Sequence, residues 1–186
     1  MTLKLDMNKA YDRVEWDFLE VVISGLGFNG KWINWTMKCV KKVTYSLIIN
    51  GKPSNSFSPS RGLRQGDPLS PYLFLFVVDV LSRSLQRGML SGLIKGIRIG
   101  RHCPTLSHLL FADDSLFFLK ADKENCMRAI QKIQEYCKAF GQKVNLEKSC
   151  VVFTGNVPME KKGEIVRSLG VKKAINIGVY LGISSF

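Results

Sequence analysis

The stretch Leu109-Leu110-Phe111-Ala112-Asp113-Asp114-Ser115-Leu116-Phe117-Phe118-Leu119 decides how the rest of the chain is read. Two apolar runs of strand-forming length flank four small or acidic residues, and Asp favours turns because its side chain bonds its own backbone. A hairpin with an acidic tip is predicted. Taken alone, Asp113-Asp114 reads as a turn. Leu3-Lys4-Leu5-Asp6 changes that, because it is a second short apolar run that ends in an acid, as a buried strand delivering a polar residue to a sheet edge would be. If both are central strands of one sheet, three carboxylates converge. Close like charges raise one another's pKa, and hard divalent cations prefer carboxylate oxygens, so two Mg²⁺ ions are the natural occupants, with Mn²⁺ as an alternative. Ions held ~3.5–4 Å apart can activate a hydroxyl nucleophile and stabilise the departing oxygen of an in-line phosphoryl displacement.

Outward from the hairpin, the chain alternates helical and strand periodicity. Val14, Phe18, Leu19, Val22, Ile23 and Leu26 recur at helical spacing, with Gly25 or Gly27 as the stop, and a second helix is predicted over Trp32 to Val40. Thr44 to Ile49 is rich in strand formers and runs into Asn50-Gly51, a pair suited to the positive backbone angles of a tight hairpin; a returning strand is predicted near Ser56-Phe57. Ser70-Pro71 reads as an N-cap followed by proline at the first helical position. The stripe Leu73, Phe74, Val77, Val78, Leu81, Leu85 follows, and Gly88 is the predicted end. Ile97-Arg98-Ile99 reads as a short strand. Asp122 caps a helix whose predicted core face is Met127, Ile130, Ile133, Cys137 and Phe140, closed by Gly141. A strand at Cys150 to Phe153, a helix after Pro158 and a strand near Val179 to Leu181 complete the order.

This order predicts an α+β fold: a split β-α-β, ferredoxin-like antiparallel sheet with helices packed on one face, read as one domain over residues 1–186. An RNA-recognition module and a polymerase palm share that outline, so the acids must decide function.

Composition narrows the field. The 186 residues are 46% apolar with eleven Phe, which argues against intrinsic disorder. The longest apolar stretch, Tyr72 to Val78, stops at Asp79, far short of the ~20 residues that span a bilayer, so no membrane partner is expected. Charge in Met1 to Asp6 argues against a secretory signal, and an intracellular protein is expected. Five cysteines with no Cys-x-x-Cys pair suggest neither a disulfide scaffold nor a thiolate zinc site, and His102 and His108 around Cys103 fit no common zinc spacing. The 27 Lys plus Arg against 15 Asp plus Glu leave a net charge of +12, which favours polyanionic partners through counterion release.

Three blocks carry a family resemblance. Asp6-Met7-Asn8-Lys9-Ala10-Tyr11-Asp12, Arg61-Gly62-Leu63-Arg64-Gln65-Gly66-Asp67-Pro68-Leu69-Ser70-Pro71 and Phe111-Ala112-Asp113-Asp114 resemble, in order and spacing, successive palm motifs of reverse transcriptases. The longer wording, including Arg13-Val14-Glu15-Trp16 and His108-Leu109-Leu110, is similar to plant non-LTR (LINE-type) retrotransposons and extends over nearly the whole chain. The resemblance implies an RNA-directed DNA polymerase that extends a DNA primer on an RNA template with dNTPs and two Mg²⁺. Asp6, Asp113 and Asp114 would be the metal ligands, Asp6 and Asp113 the principal ones. Tyr11 would sit beneath the incoming sugar and exclude a ribose 2′-hydroxyl, while Gln65 and Gly66 would approach nucleotide and template and Arg64, with Arg61, would add phosphate contacts. Gly141 to Ser149 resembles the next motif, which makes Lys148 the candidate for protonating or neutralising the pyrophosphate leaving group. Tyr180-Leu181-Gly182 resembles the primer grip.

The same resemblance implies that fingers and thumb segments of a longer polyprotein are largely missing, that the isolated chain is weak or inactive, and that its compartment is the nucleus or the cytoplasm, the nucleus being the family's expectation. Three rivals stay open: a non-catalytic nucleic-acid-binding module, a metal-dependent nuclease using the same acids, and an inert retroelement remnant. Against the first, the aromatic signature of an RNA-recognition sheet is not found. Against the second, His108 precedes the acidic tip by five residues, where a catalytic His beside the carboxylates would be wanted.

Overall fold

A computed structural model of the chain describes residues 1–111 and 114–177, together with the backbone of residues 179–180 and 183–184. In chain order the elements are β1 (Thr2–Met7), α1 (Trp16–Gly25), α2 (Gly30–Lys41), β2 (Ile48–Ile49), β3 (Lys52–Pro53), α3 (Ser70–Leu90), β4 (Ile97–Arg98), β5 (Thr105–Leu106), β6 (His108–Phe111), β7 (Asp114–Phe118), α4 (Lys123–Phe140), β8 (Val144–Val152), α5 (Met159–Leu169), β9 (Lys172–Lys173), β10 (Val179–Tyr180) and β11 (Ile183–Ser184). The fold is mixed α+β. Its principal sheet has the order β6-β7-β1-β8-β9, antiparallel throughout except for the β8–β9 edge.

Contacts divide the chain into two compact units. The first holds residues 1–10, 78–138 and 142–186, and therefore the whole principal sheet. Strict alternation in β1 explains its central place: Leu3, Leu5 and Met7 are buried, while Thr2, Lys4 and Asp6 are half-buried on the opposite face. Phe117 and Val151 are fully buried on the strands either side. Leu81 and Leu85 of α3, Cys126, Ala129, Ile133 and Tyr136 of α4, and Ile165 of α5 supply the buried helical residues of this unit. Burying each large apolar side chain contributes about 1.5–3 kcal/mol, which holds the inner face closed.

The second unit comprises residues 11–77 and 139–141. Its buried residues include Val14, Leu19, Ile23, Met37, Leu63, Leu73, Phe74 and Phe140. Asn50 (φ 51°) and Gly51 (φ 76°) form the predicted two-residue turn between β2 and β3, and Tyr45 bridges Phe57 where the returning strand was expected.

Several boundaries differ from the sequence reading. Helix α3 continues through Gly88 to Leu90, and Gly92 (φ 73°) takes the left-handed position instead. The missing Cβ of Gly88 serves packing, because a Cβ there would stand 2.7 Å from Cδ1 of Ile94. On α4 Ile133 and Phe140 are buried as predicted, but Cys126, Ala129 and Tyr136 complete the core face, while Ile130 and Cys137 are half-buried and Met127 is exposed. Asp122 does cap that helix, accepting from the Asn125 amide at 3.1 Å. Strand β8 begins at Val144 rather than near Cys150, and β9 was not anticipated. Lysines on β9 suit a short edge strand, since charge there discourages further pairing. Among the described residues, no helix is long and apolar enough to cross a membrane.

Candidate active site

The register of the central strands places the acids. On β1 and β7, Thr2 lies opposite Phe118, Lys4 opposite Leu116 and Asp6 opposite Asp114. Directly paired residues share a sheet face. Two carboxylates more than a hundred positions apart in the chain therefore meet as cross-strand neighbours, and the row continues to Phe111 on β6 and Asn145 on β8. Asp113 lies outside the described residues. Among the described residues no group of three or more His, Cys, Asp and Glu side chains gathers as a metal site. What the described chain supplies is a carboxylate pair, both members half-buried.

The other flank of Asp6 is irregular. β8 pairs with β1 from Thr2 opposite Val152 to Lys4 opposite Cys150, and then the register jumps so that Asp6 faces Asn145. The extra residues bulge out of the ladder, a feature common beside active sites. Asn145 Oδ1 accepts from the amides of Glu147 (3.2 Å) and Lys148 (3.4 Å), which closes the bulge as an Asx turn. The hydroxyl of Ser149, almost wholly buried, donates to the Asn145 carbonyl at 2.7 Å and accepts from the Asp6 amide at 3.2 Å. A side chain thus supplies the ladder bond that the bulge removes. Lys148 projects from this bulge and is exposed. Below it, the Asn8 amide donates to the Lys143 carbonyl (2.8 Å), and the buried Gln142 donates through Nε2 to the Ala10 carbonyl (3.0 Å), tying the turn after Asp6 to the start of β8.

On the acid face, Lys4 brings its Nζ to 3.8 Å from Asp114 Oδ1; the lysine side chain is 15% exposed and the aspartate 30%. At the far end of β6, His108 lies between Ser107 Oγ, 2.7 Å from Nδ1, and Ser82 Oγ, 2.9 Å from Nε2. Burial lowers its pKa from the ordinary histidine value.

The second unit carries the remaining motif residues. The Tyr11 ring stacks on Phe74, with centroids 4.4 Å apart and planes at 16°. Gln65 Nε2 donates to Asp12 Oδ1 at 3.3 Å, and Gly66 sits at φ 85°. Gly62 (φ 94°) is pinned against the segment 11–14: its amide donates to the Val14 carbonyl, the following Leu63 amide donates to the Tyr11 carbonyl, both at 2.8 Å, and the Trp16 indole donates to the Gly62 carbonyl at 2.7 Å. A Cβ on residue 62 would stand 2.8 Å from the Asp12 carbonyl oxygen, so only glycine fits. Arg64 joins Asp12, Tyr45, Arg61 and Asp67 around a cavity of about 220 Å³, where Arg61 also pairs with Glu15 at 3.1 Å. Of the primer-grip residues, Leu181 and Gly182 lie outside the described residues, as does the side chain of Tyr180.

The structure therefore pairs Asp6 with Asp114, sets Lys148 in the bulge beside Asp6 within the same unit, and places Tyr11, Arg64, Gln65 and Gly66 in the other unit. Lys4, Asn145, Ser149 and Gln142 were not singled out from sequence. Lys4 gave a signal there as a cation interrupting an apolar strand, and the other three lie within the Gly141–Ser149 motif, where no role was assigned to them.

Comparison with known proteins agrees in one direction. The family described as reverse transcriptase (RNA-dependent DNA polymerase) matches residues 1–177. An uncharacterized mitochondrial protein of Arabidopsis thaliana is 54% identical over 69 residues, 37% of this chain and 57% of that protein. The retrovirus-related Pol polyprotein from the type-2 retrotransposable element R2DM of Drosophila melanogaster is 27% identical over 157 residues, 84% of this chain and 14% of the polyprotein. Apo telomerase from Candida tropicalis, truncated from its C-terminal domain, is similar with a TM-score of 0.63 at 21% identity, over 85% of this chain and 31% of that one, a likeness of fold. The chain spans between 14% and 57% of the length of those two curated relatives.

Proposed function

The chain belongs to the reverse transcriptase (RNA-dependent DNA polymerase) family, and from that premise we propose that it is the palm segment of an RNA-directed DNA polymerase of non-LTR retroelement type, joining dNTPs to a primer 3′-hydroxyl on an RNA template. The observation that carries this reading is the register of Asp6 opposite Asp114 on adjacent central strands. Cross-strand like charges are unfavourable by themselves. A pair of half-buried carboxylates is a hard-oxygen donor set of the kind Mg²⁺ takes, since that ion binds through one or two carboxylates and keeps several waters. Asp6 and Asp114, with Asp113, would hold the ions. When bound, the metal supplies activation of the primer hydroxyl and neutralisation of charge on the phosphates.

The chain's own residues do the positioning. The Ser149 hydroxyl and the Asn145 turn hold the backbone of Asp6, the residue that lies opposite Asp114. Lys148 is assigned as the proton donor or counter-charge for the leaving pyrophosphate, supported by its place in the bulge beside Asp6. Tyr11, held flat on Phe74, is assigned to the sugar of the incoming nucleotide, Gln65 and Gly66 to base and template, Arg64 to phosphate, and the 180–182 segment to the primer; these roles rest on the motif match. The +12 net charge suits RNA and DNA partners. Flanking polymerase segments of a longer polyprotein, fingers and thumb, complete the enzyme in this reading.

Primer extension tests it. The chain, joined to the flanking segments of a retroelement relative, is given an RNA template, a DNA primer, dNTPs and Mg²⁺. DNA is extended, and Asp113→Ala abolishes extension. Equal extension by the Asp113→Ala variant overturns the reading.

A further inference from the structure

Lys4 is an anomaly on the central strand. Residues 3 and 5 point into the core and residues 4 and 6 to the opposite face, so Lys4 and Asp6 share the face that carries the acid pair. Its direct partners across the sheet are Leu116, buried, on β7 and Cys150 on β8, and its own side chain is 15% exposed. Lysine at 15% exposure is rare unless its charge is paired. The partner here is Asp114, reached diagonally at 3.8 Å, and Asp114 itself lies opposite Asp6. A cation stands one step along the strand from a built-in repulsion between two anions.

We propose that Lys4 is a positioning residue, the resident counter-cation of the Asp6–Asp114 pair. In the ion-free chain its ammonium offsets the repulsion and holds the Asp114 carboxylate. A divalent cation arriving at the acids then binds against a positive charge already in place. One side chain thus sets a trade-off between the stability of the ion-free sheet and the affinity for cations. At 15% exposure its side chain is largely withdrawn from solvent, unlike an exposed surface lysine, whose ion pair is worth little. The proposal rests on the reading that these acids hold a divalent cation.

The test uses the whole chain and Mn²⁺ alone, followed by calorimetry, with urea unfolding in a chelator as the second measurement. Lys4→Met is compared with Lys4→Arg, with Asp6→Asn as the control. Removing one unit charge beside a partly exposed site should tighten Mn²⁺ binding about 3- to 10-fold. The same variant should unfold at lower urea when ion-free, and Lys4→Arg should stay near wild type in both. If Lys4→Met does not fold, Lys4→Gln carries the comparison. Lower stability with unchanged or weaker Mn²⁺ binding would show an ordinary structural lysine and overturn the proposal. Mn²⁺ binding that survives Asp6→Asn unchanged would instead overturn the underlying reading of the acids, and this proposal with it.

Discussion

Gly62 shows how one residue's chemistry fixes a motif. Its amide and carbonyl are both bonded to the 11–16 segment, its φ is 94°, and its α-hydrogen faces the Asp12 carbonyl. Gly62→Ala should therefore cost about 1–3 kcal/mol, the range for a strained left-handed residue, read as a lower urea midpoint. His108 is a second test at this scale. Burial holds its pKa below the ordinary value of 6.5, so the folded chain binds fewer protons than the unfolded chain through that window. The contribution is fully present above pH 6.5 and is lost as pH falls through the lowered folded value. Between pH 7 and pH 5, wild type should lose more stability than His108→Gln; equal losses would contradict the burial assignment. At this scale the sequence was informative wherever a residue type has few uses: Leu3 and Leu5 alternate with polar neighbours, and Asp6 ends the run. Ser149 was invisible because a serine declares nothing until the register of its strand is known.

At the level of elements, alternation located β1, helical spacing located α1 and α3, and two unbroken apolar runs located β6 and β7. Such patterning failed where another force sets the limit. Gly88 reads as a helix stop, yet Ile94 packs against it and the helix runs on. The strand predicted from Cys150 starts at Val144, and Asn145 to Ser149, read from sequence only as part of a motif, is the bulged part of β8 that flanks Asp6. The bulge makes its own prediction. Ser149→Ala leaves the Asp6 amide without its hydroxyl partner, a loss of about 1–3 kcal/mol if the group stays buried. Amide hydrogen exchange at Asp6 should then accelerate, while the amides of Leu3 and Leu5 keep their protection. Unchanged exchange at Asp6 would mean that the hydroxyl is not what holds this strand in place.

Over the whole molecule, the fold class was legible because the order of strands and helices admits few topologies, and the meeting of Asp6 with Asp114 was legible because one apolar run leads into Asp6 and another leads out of Asp114. The cation beside the pair was not, because diagonal contacts depend on register, and a slip of one residue would turn Lys4 to the other face. The central claim is that Asp6 and Asp114 act as one centre. Catalytic groups that work as a unit are non-additive: removing either costs nearly as much as removing both. In primer extension by the chain joined to its flanking polymerase segments, Asp6→Ala and Asp114→Ala should each abolish most of the rate, and the double variant should be no slower than the slower single one. Losses that multiply, or a single variant that extends DNA at the wild-type rate, would contradict the account.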